Sequence, residues 1–199
     1  MRTANSPERR RGEQRLRALL AVAATGVLVA AIAFVVGPGG GGLTTVALTG
    51  DTSAPPPAVG SAAPDFSAKT VDGETISLGS LRGKPVWLTF GASWCADCRA
   101  EAPDLQATYA AFRNRGLQVV GVFVREDAAA VAGYADRAGL TFPLVADPVT
   151  RIASRYRARG IPTHFFIDAD GVVRGIRLGG LEPAEMERLV TDLLETSGT

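Results

Sequence analysis

The sequence predicts an α/β fold in which helices cover both faces of a mixed β-sheet. Three apolar runs, at residues 84–90, 117–124 and 163–168, have the length and composition of buried strands. Stretches with helical patterns separate these runs along the chain, an alternation that is typical of a sheet covered on both faces. Because 46% of the 199 residues are hydrophobic, the chain can also bury a sizeable core.

The folded domain is expected to begin near Ala62 and to open with a β-hairpin. Residues 65–78 alternate in character around Asp72 and Gly73, a pair that favours a tight turn between two strands. The first buried strand follows, and a helix is predicted after it over about residues 95–113.

The middle of the domain repeats the alternation of strand and helix. The second buried strand leads into an alanine-rich helix over residues 127–137, which Gly139 closes. Residues 142–147 predict a short strand, and residues 149–157 predict another helix.

The domain is expected to end with an antiparallel strand pair and a helix. The strand at 163–168 turns through residues 169–171 and returns over residues 172–178. Pro183 then opens the last helix, to about residue 195, at a first-turn position where proline is favoured.

A basic tail followed by an apolar run predicts a membrane anchor. Residues 1–17 contain six arginines and two glutamates, and the uncharged run 18–36 is long enough to cross a bilayer as a single transmembrane helix. A cleaved signal peptide and a buried core helix are the alternatives. However, the run exceeds a usual signal h-region, and no small-x-small cleavage site follows closely. The arginines place the tail in the cytoplasm and everything after residue 36 in an extracytoplasmic compartment.

The remaining chain divides into a linker and the folded domain. Residues 37–60 are rich in glycine and then in proline, which is typical of a tether, and residues 61–199 contain the domain. The net charge of the chain is +1, and the tail alone has +4, so the remainder has −3. This balance gives no argument for a nucleic-acid partner.

The two cysteines of the chain, Cys95 and Cys98, are separated by two residues. A structural disulfide here would close a very small loop and would constrain the unfolded chain little. A structural zinc site usually needs four ligands, and the sequence adds only His164 to the two thiols, so no metal site is predicted. We otherwise interpret His164 as a packing or surface residue on its strand. A redox-active pair is the remaining interpretation.

The position of the cysteines favours redox chemistry. Cys95 is expected at a helix N-terminus, where unpaired N–H groups and the helix dipole favour a thiolate. Cys98 lies one turn further on and deeper, so Cys95 is expected to attack and Cys98 to resolve. Trp94 would form an apolar rim beside the exposed sulfur, a role that is compatible with simple packing.

Four stretches carry a resemblance to a known family. These are "APDF" with the following hairpin, "LRGKPVWLTFGASWCADCRAEAPDL", "GIPTHFFID" with "DGVV", and the final helix. Together they resemble the TlpA/ResA-like membrane-anchored thiol–disulfide oxidoreductases of the thioredoxin-fold superfamily, over about residues 60–195. The resemblance implies a thioredoxin-like three-layer sandwich. It also implies a cis peptide bond between Ile161 and Pro162 that faces the cysteines and binds the substrate chain.

Two departures from thioredoxins proper bear on the chemistry. Thr89 stands where thioredoxins carry a buried aspartate, so we expect Glu101, which matches a glutamate of the TlpA/ResA-like proteins, to handle protons. The inner pair is Ala96 and Asp97. The negative charge of Asp97 disfavours a neighbouring thiolate and predicts a reducing couple, although it is also an ordinary first-turn residue.

The predicted function is extracytoplasmic thiol–disulfide exchange on exported proteins, in the reducing direction. The reaction needs no metal or organic cofactor, and a membrane electron-donor or acceptor protein would exchange electrons with the pair. In the relatives, the substrates include apocytochrome c. A thioredoxin-fold copper chaperone, binding through Cys95, Cys98 and His164, is one alternative. A peroxiredoxin-like peroxidase is another, but the Pro-x-x-x-Thr-x-x-Cys pattern of that class is absent.

Overall fold

The computed structural model describes residues 47–48 and 56–197. All described residues belong to one compact unit. The predicted basic tail and the predicted transmembrane run therefore lie outside the described residues. In the described part of the chain, no helix combines the length and the apolar character that a membrane crossing needs.

A five-stranded mixed sheet forms the centre of the domain, in the order β6-β5-β4-β7-β8. Strands β4 and β5 are parallel, as are β5 and β6, whereas β7 is antiparallel to both of its neighbours. The strands are β4 Val86–Gly91, β5 Gln118–Val124, β6 Leu144–Asp147, β7 Thr163–Ile167 and β8 Val173–Leu178. All six residues of β4 are buried because β4 lies in the middle of the sheet.

A smaller three-stranded sheet precedes the central one. It consists of β1 Ala47–Leu48, β2 Phe66–Lys69 and β3 Thr75–Ser77, all antiparallel. Strands β2 and β3 are joined by the turn that contains Gly73, whose φ of 93° suits glycine. Strand β1 lies inside residues 37–60, the segment that the sequence suggests as a linker. Its two described residues nevertheless pair with strand β2 of the domain.

Four helices cover the two faces of the central sheet. They are α1 Ala96–Phe112, α2 Ala128–Ala138, α3 Arg151–Arg155 and α4 Pro183–Ser197. Helices α1, α2 and α4 pack into one apolar cluster with Trp87 and Phe166, whereas α3 and strand β2 pack into the other with Leu88 and Phe165. The alternation of neighbouring strand residues between the clusters is the period of two expected for a sheet buried on both sides. The predicted α/β fold, with helices on both faces of a mixed sheet, is therefore confirmed.

Helix α3 is shorter than the predicted 149–157 because the backbone leaves the helical region at both ends. Thr150 precedes it with φ 56° and Arg157 follows it with φ 53°, both left-handed. The Asp147 carboxylate accepts hydrogen bonds from the N–H groups of Arg151 (2.7 Å) and Ala153 (2.9 Å), which caps the start of the helix. Burial raises the pKa of the Asp147 carboxyl, and these hydrogen bonds offset part of that rise.

Candidate functional site

The two cysteines lie where strand β4 ends and helix α1 begins. Cys95 is the N-cap residue, and its Sγ accepts a hydrogen bond of 3.2 Å from the backbone N–H of Cys98. The two residues are joined by a disulfide, with their Cα atoms 5.3 Å apart, and each is 8% exposed. A sulfur in the N-cap position meets the positive end of the helix dipole, which favours a thiolate once the disulfide is reduced.

The loop before Cys95 is held by a buried carboxylate. The Ser93 N–H donates a 2.7 Å hydrogen bond to Glu126 Oε2, and the Ser93 hydroxyl donates to Oε1 of the same group. On the other side, the Arg99 guanidinium donates to the Ser93 carbonyl at 3.0 Å. These contacts fix the backbone immediately before the redox pair.

A cis peptide bond and an aromatic side chain border Cys95. The Ile161–Pro162 bond is cis, and the Ile161 carbonyl oxygen lies 3.9 Å from Cys95 Sγ. Trp94, one of few large apolar side chains exposed in the described chain, is 55% accessible beside it. The predicted binding residues Trp94, Ile161 and Pro162 thus lie next to the predicted attacking sulfur. Ala96 and Asp97, in the first helical turn, point to solvent.

Glu101 is buried one turn after Cys98, with 6% of its surface exposed. Its Oε2 accepts a 3.1 Å hydrogen bond from the Leu181 backbone N–H. Glu101 and Cys98 both line a cavity of about 30 Å³, which Thr89 also lines from strand β4. A space of that size is large enough for one water molecule, and it lies between the helix and the strand that carry these residues.

His164 faces the same carboxylate from strand β7 and is fully buried. Its Nδ1 accepts a hydrogen bond of 3.3 Å from the Trp87 indole, so the hydrogen of the neutral ring lies on Nε2. Nε2 is 3.5 Å from Glu101 Oε2 but lacks hydrogen-bond geometry and has no other partner among the described residues. Trp87, His164 and Glu101 therefore form a buried polar row that ends at the cavity.

A tyrosine completes the polar lining of this cavity. Burial raises the pKa of the Tyr134 phenol, Arg99 opposes the shift, and the carboxylates of Glu101 and Glu126 add to it. Tyr134 therefore keeps its proton near neutral pH and lines the same cavity as Glu101.

The sequence analysis left out one feature of His164 and did not identify Glu126. His164 is buried and packs against Trp87, in keeping with a packing role, and it is in addition a polar neighbour of Glu101. The structure pairs His164 with Thr89, the position of the thioredoxin aspartate, across the sheet. Glu126 follows the parallel strand β5, and parallel strands end at the same edge of a sheet. That rule places Glu126 beside the loop after β4.

The copper alternative requires Cys95, Cys98 and His164 to lie together. Across residues 47–48 and 56–197, no group of three or more histidine, cysteine, aspartate or glutamate side chains has the arrangement of a metal site. The buried ring of His164 is instead placed between Trp87 and Glu101. The geometry therefore favours thiol chemistry over copper binding.

Comparison with known proteins agrees with the geometry of the site. Residues 59–176 match the AhpC/TSA family. Thiol-disulfide oxidoreductase ResA of Geobacillus kaustophilus is 37% identical over 131 residues, which cover 66% of this chain and 75% of the relative. The chain belongs to this family and is a ResA-like thiol–disulfide oxidoreductase.

Further relatives extend the comparison. ResA of Bacillus subtilis is 32% identical over 145 residues, covering 70% of this chain and 79% of that protein. The crystal structure of a thiol:disulfide interchange protein of the thioredoxin family from Chlorobium tepidum superimposes with a TM-score of 0.62 at 35% identity. That match covers 71% of this chain and 99% of the other. The family membership that the sequence motifs predict is confirmed.

Proposed function

We propose that this protein reduces disulfide bonds of exported proteins, with Cys95 as the attacking and Cys98 as the resolving thiol. One observation carries the proposal: Cys95 Sγ lies at the N-cap of α1, beside the carbonyl of the cis Ile161–Pro162 bond. An extended substrate chain can pair with the backbone at Ile161 while its disulfide meets the sulfur. Trp94 supplies an apolar contact for the same chain.

The exchange proceeds in two displacements. The Cys95 thiolate attacks one sulfur of the substrate disulfide, a mixed disulfide forms, and the departing substrate sulfur takes up a proton. Cys98 then loses its proton and attacks Cys95 Sγ, which breaks the mixed disulfide and releases the second substrate sulfur as a thiol. Two electrons pass to the substrate, and the enzyme ends with the Cys95–Cys98 disulfide. No metal or organic cofactor is required.

Glu101 is the proposed proton carrier for Cys98. The carboxylate and Cys98 line the same cavity, and Thr89, which cannot titrate, lines it from the strand. The contacts of the carboxylate with the Leu181 N–H and with His164 are both made by Oε2. Oε1 is therefore the oxygen that can exchange a proton with water in the cavity. His164 and Leu181 act as positioning groups.

The protein is proposed to work outside the cytoplasm, anchored by residues 18–36. The support is the arginine-rich tail followed by the uncharged run. In that setting, a membrane protein that donates electrons would return the pair to the dithiol form. Apocytochrome c, which the family resemblance implies as one substrate, is the first candidate to test.

Trapping of the mixed disulfide tests the roles of the two thiols. Cys98→Ser is expected to accumulate a covalent adduct with its partner, because the resolving thiol is missing. Cys95→Ser is the matched control and should form no such adduct. Non-reducing gels after exposure to oxidised exported proteins provide the measurement. Equal trapping by the two variants would contradict the assignment.

Replacing the carboxylate tests the proton-transfer role. Glu101→Gln is expected to slow disulfide reduction by about tenfold or more, because the amide cannot carry a proton. The midpoint of thiolate absorbance against pH should also move. The fold should persist, since the amide oxygen can still accept from Leu181. The control Glu187→Gln changes an exposed glutamate of α4. Rate and titration curves that overlay those of the wild type would remove Glu101 from the mechanism.

The reduction potential tests the direction of the reaction. We expect a value near that of thioredoxin, about −270 mV, because Asp97 opposes the thiolate. Asp97→Asn should make the potential less negative, whereas Asp104→Asn, further along α1, should change it little. Equilibration with mixtures of reduced and oxidised glutathione measures the reduction potential of the wild type and of both variants. A wild-type potential above about −180 mV contradicts a reducing role.

Protease accessibility tests the proposed topology. Protease added to intact cells or spheroplasts is expected to release a soluble fragment that begins within residues 37–60. A cytoplasmic protein in the same sample should stay intact as the control. Protection of the domain until the membrane is broken would mean that it lies on the cytoplasmic side.

A further inference from the structure

A groove of about 480 Å³ opens beside the redox pair. Trp94 and Ile161 line it on the side of the cysteines, and the end of strand β5, helix α3 and the segment before Ile161 form the rest. Since Cys95 Sγ lies 3.9 Å from the Ile161 carbonyl oxygen, the groove begins within one residue's length of the attacking sulfur.

The groove is positively charged. Arg125, Arg157 and Arg159 line it, all three are exposed, and no aspartate or glutamate is among the lining residues. In the described part of the chain, none of the three guanidinium groups forms a salt bridge. Because the net charge of the whole chain is only +1, this concentration of positive charge is a local feature of the groove.

The backbone at the groove is held in an unfavourable conformation. Arg125, Thr150 and Arg157 have φ values of 58°, 56° and 53°, and they are the only non-glycine residues with positive φ among residues 47–48 and 56–197. All three line this groove. The Asp147 carbonyl accepts hydrogen bonds from the N–H groups of Arg125 (3.0 Å) and Thr150 (3.1 Å), which hold two of these three residues in place. Strain of this kind costs free energy and concentrates at functional sites.

We propose that this groove binds an acidic segment of the polypeptide whose disulfide Cys95 attacks. The proposal rests on the proposed function and adds a substrate preference to it. A chain that lies against Trp94 and Ile161 continues along the groove, so acidic residues near its cysteine reach the arginines. Guanidinium groups bind carboxylates with paired hydrogen bonds, and opposite charges also speed the encounter.

Three peptides with the same internal disulfide and different flanking residues test the preference. The flanks are four glutamates, four glutamines or four lysines, and the rate of reduction by the reduced full-length protein in neutral detergent is measured. At low salt we expect the glutamate peptide to react about tenfold faster than the glutamine peptide, and the lysine peptide to react more slowly than both. The difference should largely disappear at high salt.

Substitutions locate the preference within the groove. The combined variant Arg157→Asn and Arg159→Gln is expected to bring the glutamate-to-glutamine rate ratio down to about two or less. Asparagine is chosen at position 157 because it tolerates a positive φ. Arg159→Lys should retain part of the ratio. The control Arg137→Gln removes one exposed charge from helix α2, outside the groove, and should leave the ratio as in the wild type.

The outcomes separate this proposal from the proposed function. Equal rates for the three peptides with the wild type would overturn the acidic-segment proposal and leave thiol–disulfide exchange intact. A ratio that survives the groove substitutions, or that falls equally in the Arg137→Gln control, would also overturn it. Failure to reduce any peptide, together with no adduct on Cys98→Ser, would overturn the proposed function itself.

Discussion

The burial of strand β4 on both faces determines where the redox pair lies. Strand β4 pairs with β5 on one side and with β7 on the other, and apolar clusters cover both of its faces. The position of its end is therefore fixed. Helix α1 must start within a few residues of that end, with Cys95 as its N-cap and Cys98 in its first turn. The same edge of the sheet receives Glu126 from the end of β5 and Ile161 from the start of β7. The positions of the other groups at the site therefore depend on β4.

The elements with strong local signals could be predicted from the sequence. Cys95 at the N-terminus of α1 and Gly139 at the end of α2 both follow from the chemistry of helix ends, and the structure places both as expected. Helix α3 was predicted too long because its limits are set by Thr150 and Arg157, whose left-handed backbones no residue preference indicates. The backbone there depends on Asp147 and on packing, which a local pattern does not contain.

The buried polar row of Trp87, His164 and Glu101 also depends on contacts between residues that are distant in sequence. Glu101 was expected because it matches a glutamate of the TlpA/ResA-like proteins, and it lies three residues after Cys98 on the same helix. His164 was not, because its partner Trp87 is 77 positions away in sequence and Glu101 is on another element. The strand position that is acidic in thioredoxins is Thr89 here, and Thr89 pairs with His164 across the sheet. The acid at this site, Glu101, thus comes from helix α1. It shares a cavity with the Thr89 hydroxyl and faces the His164 imidazole.

Charges of opposite sign lie near Cys95, and they act on different steps. Asp97 is in the first turn of α1, so its proposed effect on the thiolate would be the same for every substrate. The guanidinium groups of Arg125, Arg157 and Arg159 lie along the groove beyond Trp94 and Ile161, where a bound chain would meet them. A substrate carboxylate in the groove would neutralise them in the encounter complex without changing the charge next to the sulfur. Under these two proposals, redox potential and substrate preference depend on different parts of the domain, one on a helix turn and the other on the loops around α3.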